Sequence, residues 1–335
     1  MDARVARLTG PMVDTFGRTI DYVRISVTDR CNLRCRYCMS EGMKFLPKSE
    51  VLSLEEIVDL ADIFIGRGVR RIRLTGGEPL VRRGVGELFK SLGERIGNGL
   101  EEVTLTTNGV LLDQYAALLA QCGVKRVNVS LDSLDRDRFS HITRGGDLGR
   151  VLQGIAAAQL AGLSVKINMV ALAGLNDDEI EDMLLWCDAH DCDLTLIETM
   201  PLGEVEQDRT DHYLALDRVR GRLDERFGLI PTLQRTGGPA RYFEVQGLKI
   251  RLGLITPLSA NFCSGCNRIR VAATGTVYGC LGHEQKVELR DALRSGGRAG
   301  VNELLDLLLA GKPKGHDFRI GAGAAVSRHM SVTGG

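Results

Sequence analysis

Six of the nine cysteines in this 335-residue chain fall into two tight groups. Cys31, Cys35 and Cys38 form C-x3-C-x2-C, and Cys263, Cys266 and Cys280 form C-x2-C-x13-C. Clustered thiols in a chain of this size point to metal or redox chemistry rather than to disulfides. Three thiolates can hold three irons of a cubane cluster, and the missing fourth ligand leaves one iron open to a small molecule. Zinc is the rival. Structural zinc wants four protein ligands, and no fourth Cys or His lies near the first group. Structural zinc stays open for the second group on spacing alone. There, Arg268 and Arg270 share one face of a strand beside the cysteines, which argues for a phosphate or carboxylate site. Cys122, Cys187 and Cys192 lie among apolar residues and read as small buried side chains.

The elements that must position these groups alternate between strand and helix. Strands are expected at 23–28, 71–75, 103–106, 126–131, 165–170 and 194–199, with helices near 53–66, 84–96, 113–121, 148–161 and 177–189. Ser53 followed by Glu56 resembles a capping box, and Asn176 before an acidic run reads as an N-cap. A βαβα series implies parallel strands with right-handed crossovers. Six units are too few for a closed eight-fold barrel of ~250 residues. An open partial barrel or a doubly wound sheet is left.

Strand parity adds the chemistry of the faces, because successive residues point to opposite sides. Arg24, Ser26, Thr28, Arg71, Arg73, Thr75, Thr104, Thr106, Asn128, Ser130, Lys166 and Asn168 share one parity, and Val, Ile, Leu and Met fill the other. Parallel strands covered by helices on both sides are apolar on both faces. One polar, cationic face therefore predicts a lumen for a polar ligand. The first cysteine group follows the first strand at its C-terminal end, the edge where active sites of such folds collect.

Beyond Met200 the pattern changes. A helix is expected near 213–227, strands at 242–245 and 248–255, a hairpin of 268–272 and 276–281 turning at Thr274-Gly275, a helical pair near 287–310, and an irregular Gly-rich tail over 312–335. Lys+Arg and Asp+Glu are both 43, which argues against a nucleic-acid or polybasic membrane binder. No apolar run approaches the ~18 residues of a membrane span. The N-terminal MDARVARLTGPMVD lacks the apolar run of a secretory signal, so a cytoplasmic location is expected.

The segment CNLRCRYC, with Tyr37 before the last cysteine, resembles the cluster loop of the radical S-adenosylmethionine (SAM) enzymes, and Thr75-Gly76-Gly77-Glu78-Pro79 resembles their GGEP motif. The fuller set RISVTDRCNLRCRYC, RIRLTGGEPL, TTNG, NVSLDSL, VKIN, FCSGCNRIRV and the final Gly334-Gly335 resembles the GTP 3′,8-cyclase family from about Val23 onward. The resemblance implies an α/β fold: a partial (β/α)6 TIM-type barrel over 1–210, an α+β auxiliary-cluster domain over 211–320 closing the barrel mouth, and a flexible tail over 321–335. It implies two 4Fe–4S clusters on the six cysteines. Tyr37, Gly77, Ser130 and Met200 would contact SAM, and Arg24, Arg73, Thr106, Lys166, Arg268, Ile269 and Arg270 would contact GTP. Arg268 and Arg270, with Gly334 and Gly335 of a tail that enters the site, would take part in catalysis.

The implied reaction converts GTP to (8S)-3′,8-cyclo-7,8-dihydroguanosine 5′-triphosphate, by hydrogen removal at C3′ and attack on C8. It is the first step of molybdenum cofactor biosynthesis. The implied partners are an electron donor and, by product hand-over, cyclic pyranopterin monophosphate synthase, with the chain a monomer or homodimer. Thr195 departs from the pattern, since many relatives carry arginine there, and Arg71 stands where many have lysine. Two other readings compete: a different radical SAM enzyme with an auxiliary cluster, such as a peptide-modifying maturase, and a zinc-stabilised nucleotide-binding module.

Overall fold

The computed structural model describes residues 10–203, 211–234, 236–321 and 323–334. The six expected strands form: β1 (Tyr22–Ser26), β2 (Arg71–Thr75), β3 (Glu102–Thr107), β4 (Arg126–Ser130), β5 (Ser164–Ala171) and β6 (Cys192–Glu198). They pair in chain order and in parallel. Between them run α1 (Leu54–Gly66), α2 (Val85–Gly93), α3 (Leu112–Gln121), α4 (Arg136–Thr143), α5 (Leu148–Leu160) and α6 (Ile180–Ala189). The result is an open (β/α)6 barrel. Its apolar strand face packs under the helices, with Val23, Ile72, Leu105, Val127, Ile167 and Leu194 all fully buried. Burying side chains of this size stabilises the layer by roughly 1.5–3 kcal/mol each.

The caps fall partly as expected. Ser53 accepts from the Glu56 amide at 3.1 Å and donates its own amide to the Glu56 carboxylate at 2.7 Å, which closes the capping box. Asn176 does not cap α6. Its buried side chain accepts from the Leu172 amide at 2.8 Å and donates to the Asp132 and Val170 carbonyls at 2.7 and 2.9 Å. Satisfying three buried backbone groups outweighs one terminal amide, and the helix starts at Ile180 instead. The polar helix α4, capped by Asp135, was not expected, because its sequence RDRFSHIT carries little apolar periodicity.

The C-terminal part adds α7 (Leu216–Phe227), β7 (Leu229–Pro231), β8 (Arg241–Val245), β9 (Arg251–Ile255), β10 (Arg268–Val271), β11 (Thr276–Tyr278), β12 (Lys286–Glu288), α8 (Leu289–Ala310) and the short α9 (Met330–Thr333). The hairpin turns at Gly275, as expected, with φ +86°. The expected helical pair is α8, broken by the non-helical backbone of Gly297. The twelve strands of the described residues make one sheet, in the order β12-β11-β10-β1-β2-β3-β4-β5-β6-β9-β8-β7. The C-terminal strands thus extend both edges of the barrel, with β10 parallel to β1 and β9 parallel to β6. Among the described residues, no helix is long and apolar enough to cross a membrane.

Candidate active site

Two cavities of about 160 and 140 Å³ open inside the barrel. Cys31, Cys35 and Cys38 line the first, together with Tyr37, Gly76, Gly77, Thr106, Ser130 and Met200. Cys263, Cys266 and Cys280 line the second, together with Arg24, Arg73, Lys166, Arg268, Ile269 and Arg270. Asn168, Ile197, Met200 and Met330 belong to both linings, so the cavities abut across these four residues. The two triads therefore face neighbouring halves of one lumen.

The first triad sits in the loop after β1, held against the loop after β2. The Gly77 amide donates to the Thr28 carbonyl at 2.9 Å, and the Glu78 amide to the Arg30 carbonyl at 2.8 Å. A Cβ on Gly76 would lie 2.5 Å from the Thr28 oxygen, and one on Gly77 2.5 Å from the Arg30 oxygen. Only glycines admit this approach. Burial pushes the Cys31 thiol up to about 12 and the Cys35 thiol well above its ordinary value. A metal would have to supply the charge that keeps such thiolates ionised.

Two acids support this loop. The buried Glu78 carboxylate accepts from the Asn108 amide at 2.6 Å, the Thr107 hydroxyl at 2.8 Å and the Leu80 amide at 3.0 Å. Burial pushes it up to about 7. Asp132 accepts from the Tyr37 hydroxyl at 2.7 Å and the Val170 amide at 2.9 Å, and burial raises it to about 6. Tyr37 is thereby fixed between Cys35 and Cys38. The hydroxyls of Thr75, Thr106 and Thr199 are buried on the cavity wall without a partner. Unpartnered buried polar atoms on a cavity wall suit a polar guest.

The second cavity is cationic by strand register. Arg270, Arg24 and Arg73 stand abreast on β10, β1 and β2, as direct partners in the pairing. Tyr22 and Arg268 form the neighbouring pair. Arg24, Arg73, Lys166, Arg268 and Arg270 are each at most 9% exposed, and none has an ion-pair partner among the described residues. Burial, then the Arg270 guanidinium, holds Arg24 well below its ordinary value. Burial and Arg268 bring Arg270 down to about 10. Burial, Arg73 and Arg126 lower Lys166, which donates to the Tyr242 hydroxyl at 2.7 Å. Like charges buried side by side are costly unless an anion joins them. The Nε atoms of Arg24 and Arg73 lack a partner, as a site built for a guest requires.

Among the described residues, no three His, Cys, Asp or Glu side chains converge as a site for a single metal ion. Three cysteines on one cavity wall are a donor set that fits three corners of a cubane cluster. Cys266 lies in positive surroundings: burial alone would raise it, but Lys312 and Arg268 hold it below the ordinary thiol value.

Some expectations are redirected. Ile269 reaches the second cavity from a strand whose Ile269 side chain is buried in the apolar core. Arg71, at the far end of β2, pairs with Asp21 at 3.0 Å and Glu101 at 2.8 Å and lines neither cavity. Thr195 is fully buried with its hydroxyl unpartnered. Gly334 touches the site through its carbonyl, which accepts from Arg270, while Gly335 lies outside the described residues. Tyr22, Phe262, Tyr278 and Met330 also line the second cavity and were missed. Extending the first strand by one residue would have placed Tyr22 on the polar parity. Met330 comes from the tail, and no local pattern signals it.

Comparison with known proteins agrees with this arrangement. The model of the Radical SAM superfamily matches residues 25–187, and that of Molybdenum Cofactor Synthesis C matches 192–318. A GTP 3′,8-cyclase of Rhizobium meliloti (strain 1021) is 56% identical over 332 residues, covering 98% of this chain and 95% of the relative. One of Erythrobacter litoralis (strain HTCC2594) is 56% identical over 327 residues, covering 97% and 98%. Among solved structures, Streptococcus suis SuiB bound to S-adenosylmethionine superposes with a TM-score of 0.61 at 15% identity, over 81% of this chain and 64% of that one. Native anSMEcpe with bound AdoMet gives 0.52 at 16% identity, over 86% and 83%. These two likenesses concern the fold.

Proposed function

The chain belongs to the GTP 3′,8-cyclase family of the radical SAM superfamily, and from that premise we propose how its residues convert GTP to (8S)-3′,8-cyclo-7,8-dihydroguanosine 5′-triphosphate. The observation that carries the reading is the set of five buried cations without carboxylate partners beside a cysteine triad. A triphosphate supplies the charge they lack.

Cys31, Cys35 and Cys38 hold a 4Fe–4S cluster, and Cys263, Cys266 and Cys280 hold a second. Tyr37, Gly77, Ser130 and Met200 bind SAM in the first cavity. The cluster and SAM supply one-electron radical chemistry when bound. Arg24, Arg73, Thr106, Lys166 and the Arg268-Ile269-Arg270 strand bind GTP. Their rigid placement on adjacent strands orients ribose and base for ring closure. Arg268 and Arg270 stabilise the charge that shifts over the nucleotide, and the tail ending in Gly334-Gly335 takes part beside them, with no room for a side chain at Gly334. The buried walls exclude water from the reacting centre.

We assign 1–210 to the barrel, 211–320 to the domain that closes its mouth and 321–335 to the C-terminal tail. An electron donor feeds the chain, which works in the cytoplasm as a monomer or homodimer. Cyclic pyranopterin monophosphate synthase takes over its product.

The test is anaerobic incubation of the reconstituted protein with GTP, SAM and reductant, with the product identified by mass and NMR. The cyclised triphosphate is expected, together with about eight irons and eight sulfides per chain, four of each per cubane. Two zincs, or no consumption of GTP, would overturn the reading.

A further inference from the structure

Lys312 lies just beyond α8 and is 2% exposed. Its ammonium group has three donors. It donates to the Cys266 sulfur at 3.6 Å, to the Arg268 carbonyl at 3.3 Å and to the Gly279 carbonyl. Among the described residues it has no carboxylate partner. The Cys266 sulfur is thus the one acceptor of this buried ammonium that is not a backbone carbonyl.

Two further cations reach this triad, but through the backbone. Arg18 donates to the Cys263 carbonyl at 2.9 Å, and Arg328 to the Cys280 carbonyl at 3.2 Å. At the first triad the Cys31 sulfur takes neutral donors, the Leu33 amide at 3.4 Å and the Asn108 side chain at 3.8 Å. Cys31 and Cys266 thus differ in what their sulfurs meet.

We propose that Lys312 is a positioning residue of the second cluster: its N–H···S bond to Cys266 orients that ligand and raises the reduction potential of this cluster, leaving the first unaffected. Charge-assisted donors to ligand sulfur favour the reduced cluster. The inference rests on the assignment of a second 4Fe–4S cluster to Cys263, Cys266 and Cys280.

The experiment is an EPR-monitored redox titration of the anaerobically reconstituted full chain, with iron counted alongside. The Cys31→Ala/Cys35→Ala/Cys38→Ala variant identifies the signal of the second cluster. Wild-type protein with half the expected iron, and no second signal, would sink the two-cluster assignment and this inference with it, before any lysine variant is made. With both clusters present, Lys312→Met and Lys312→Gln are expected to shift the midpoint of the second cluster to lower potential. Lys312→Arg should keep it near the wild-type value, and the first cluster should not move. An unchanged second midpoint in Lys312→Gln would overturn the proposal. Loss of the second cluster from Lys312→Met with retention in Lys312→Arg supports it, and loss from both overturns it.

Discussion

Arg270 donates its Nη1–H to the carbonyl of Gly334 at 2.8 Å, tying the cationic wall of one cavity to the last described residue of the chain. The same glycine abuts the other cavity. A Cβ built on Gly334 would lie 2.0 Å from the Thr75 hydroxyl, and its φ of +73° is one that side chains rarely adopt. The tail is therefore seated between the two triads by a contact that tolerates no side chain.

Gly334→Ala should unseat that tail without disturbing the cysteines. Turnover is expected to fall about 100-fold, the scale of loss for misplacement by about 1 Å, with iron content unchanged. Product formation and iron analysis check it together. Full activity in this variant would refute the seating.

Lys166 gives a proton-linked prediction. Its burial and its neighbours Arg73 and Arg126 disfavour the charged form, and a bound polyanion restores it. GTP binding should then take up protons between the lowered Lys166 value and its ordinary 10.5. Calorimetry in buffers of different ionisation enthalpy measures the uptake. Lys166→Met should abolish this component and weaken GTP binding about 10–100-fold, as loss of a charged hydrogen bond does. Uptake equal to that of the wild type would count against the assignment.

Glu78 sets a pH dependence of stability. Its folded value of about 7 lies above the ordinary 4.5, so the folded chain binds the extra proton between them. The contribution is fully present below 4.5 and is lost as pH rises through about 7. The shift corresponds to at most about 3 kcal/mol. Denaturant unfolding of the cluster-free chain across this range should show the decline. Glu78→Gln, which does not titrate, should flatten it, and an identical slope in the two proteins would contradict the assignment.

Thr195 should be dispensable for GTP. Its hydroxyl is buried without a partner, so Thr195→Val removes an unsatisfied polar atom at nearly constant volume. Stability is expected to hold or rise by about 1 kcal/mol, with KM for GTP unchanged. A tenfold rise in KM would show that the hydroxyl reaches the nucleotide after all.

Much of this site was legible in strand parity. Arg24, Arg73, Thr106, Ser130, Lys166 and Asn168 lie on the polar phase of their strands, and all of them line the lumen. Parity works because the pleat is a local property of the backbone. It fails where strands run out, as at Arg71, whose side chain meets Asp21 and Glu101 instead. The Asn176 cap was misread because its partners, Asp132 and Val170, come from other loops. Lys312 carries no pattern at all: its three acceptors lie at 266, 268 and 279, and only folding brings them together.

The strand order has a consequence for how this protein can be divided. Because β10 zips onto β1 and β9 onto β6, a chain stopped after β6 would bare a row of unpaired amides and carbonyls on each side of its sheet. Such raw flanks template self-association. The N-terminal portion alone is thus a poor candidate for expression in isolation, and both halves should be inherited and produced as a single continuous gene product.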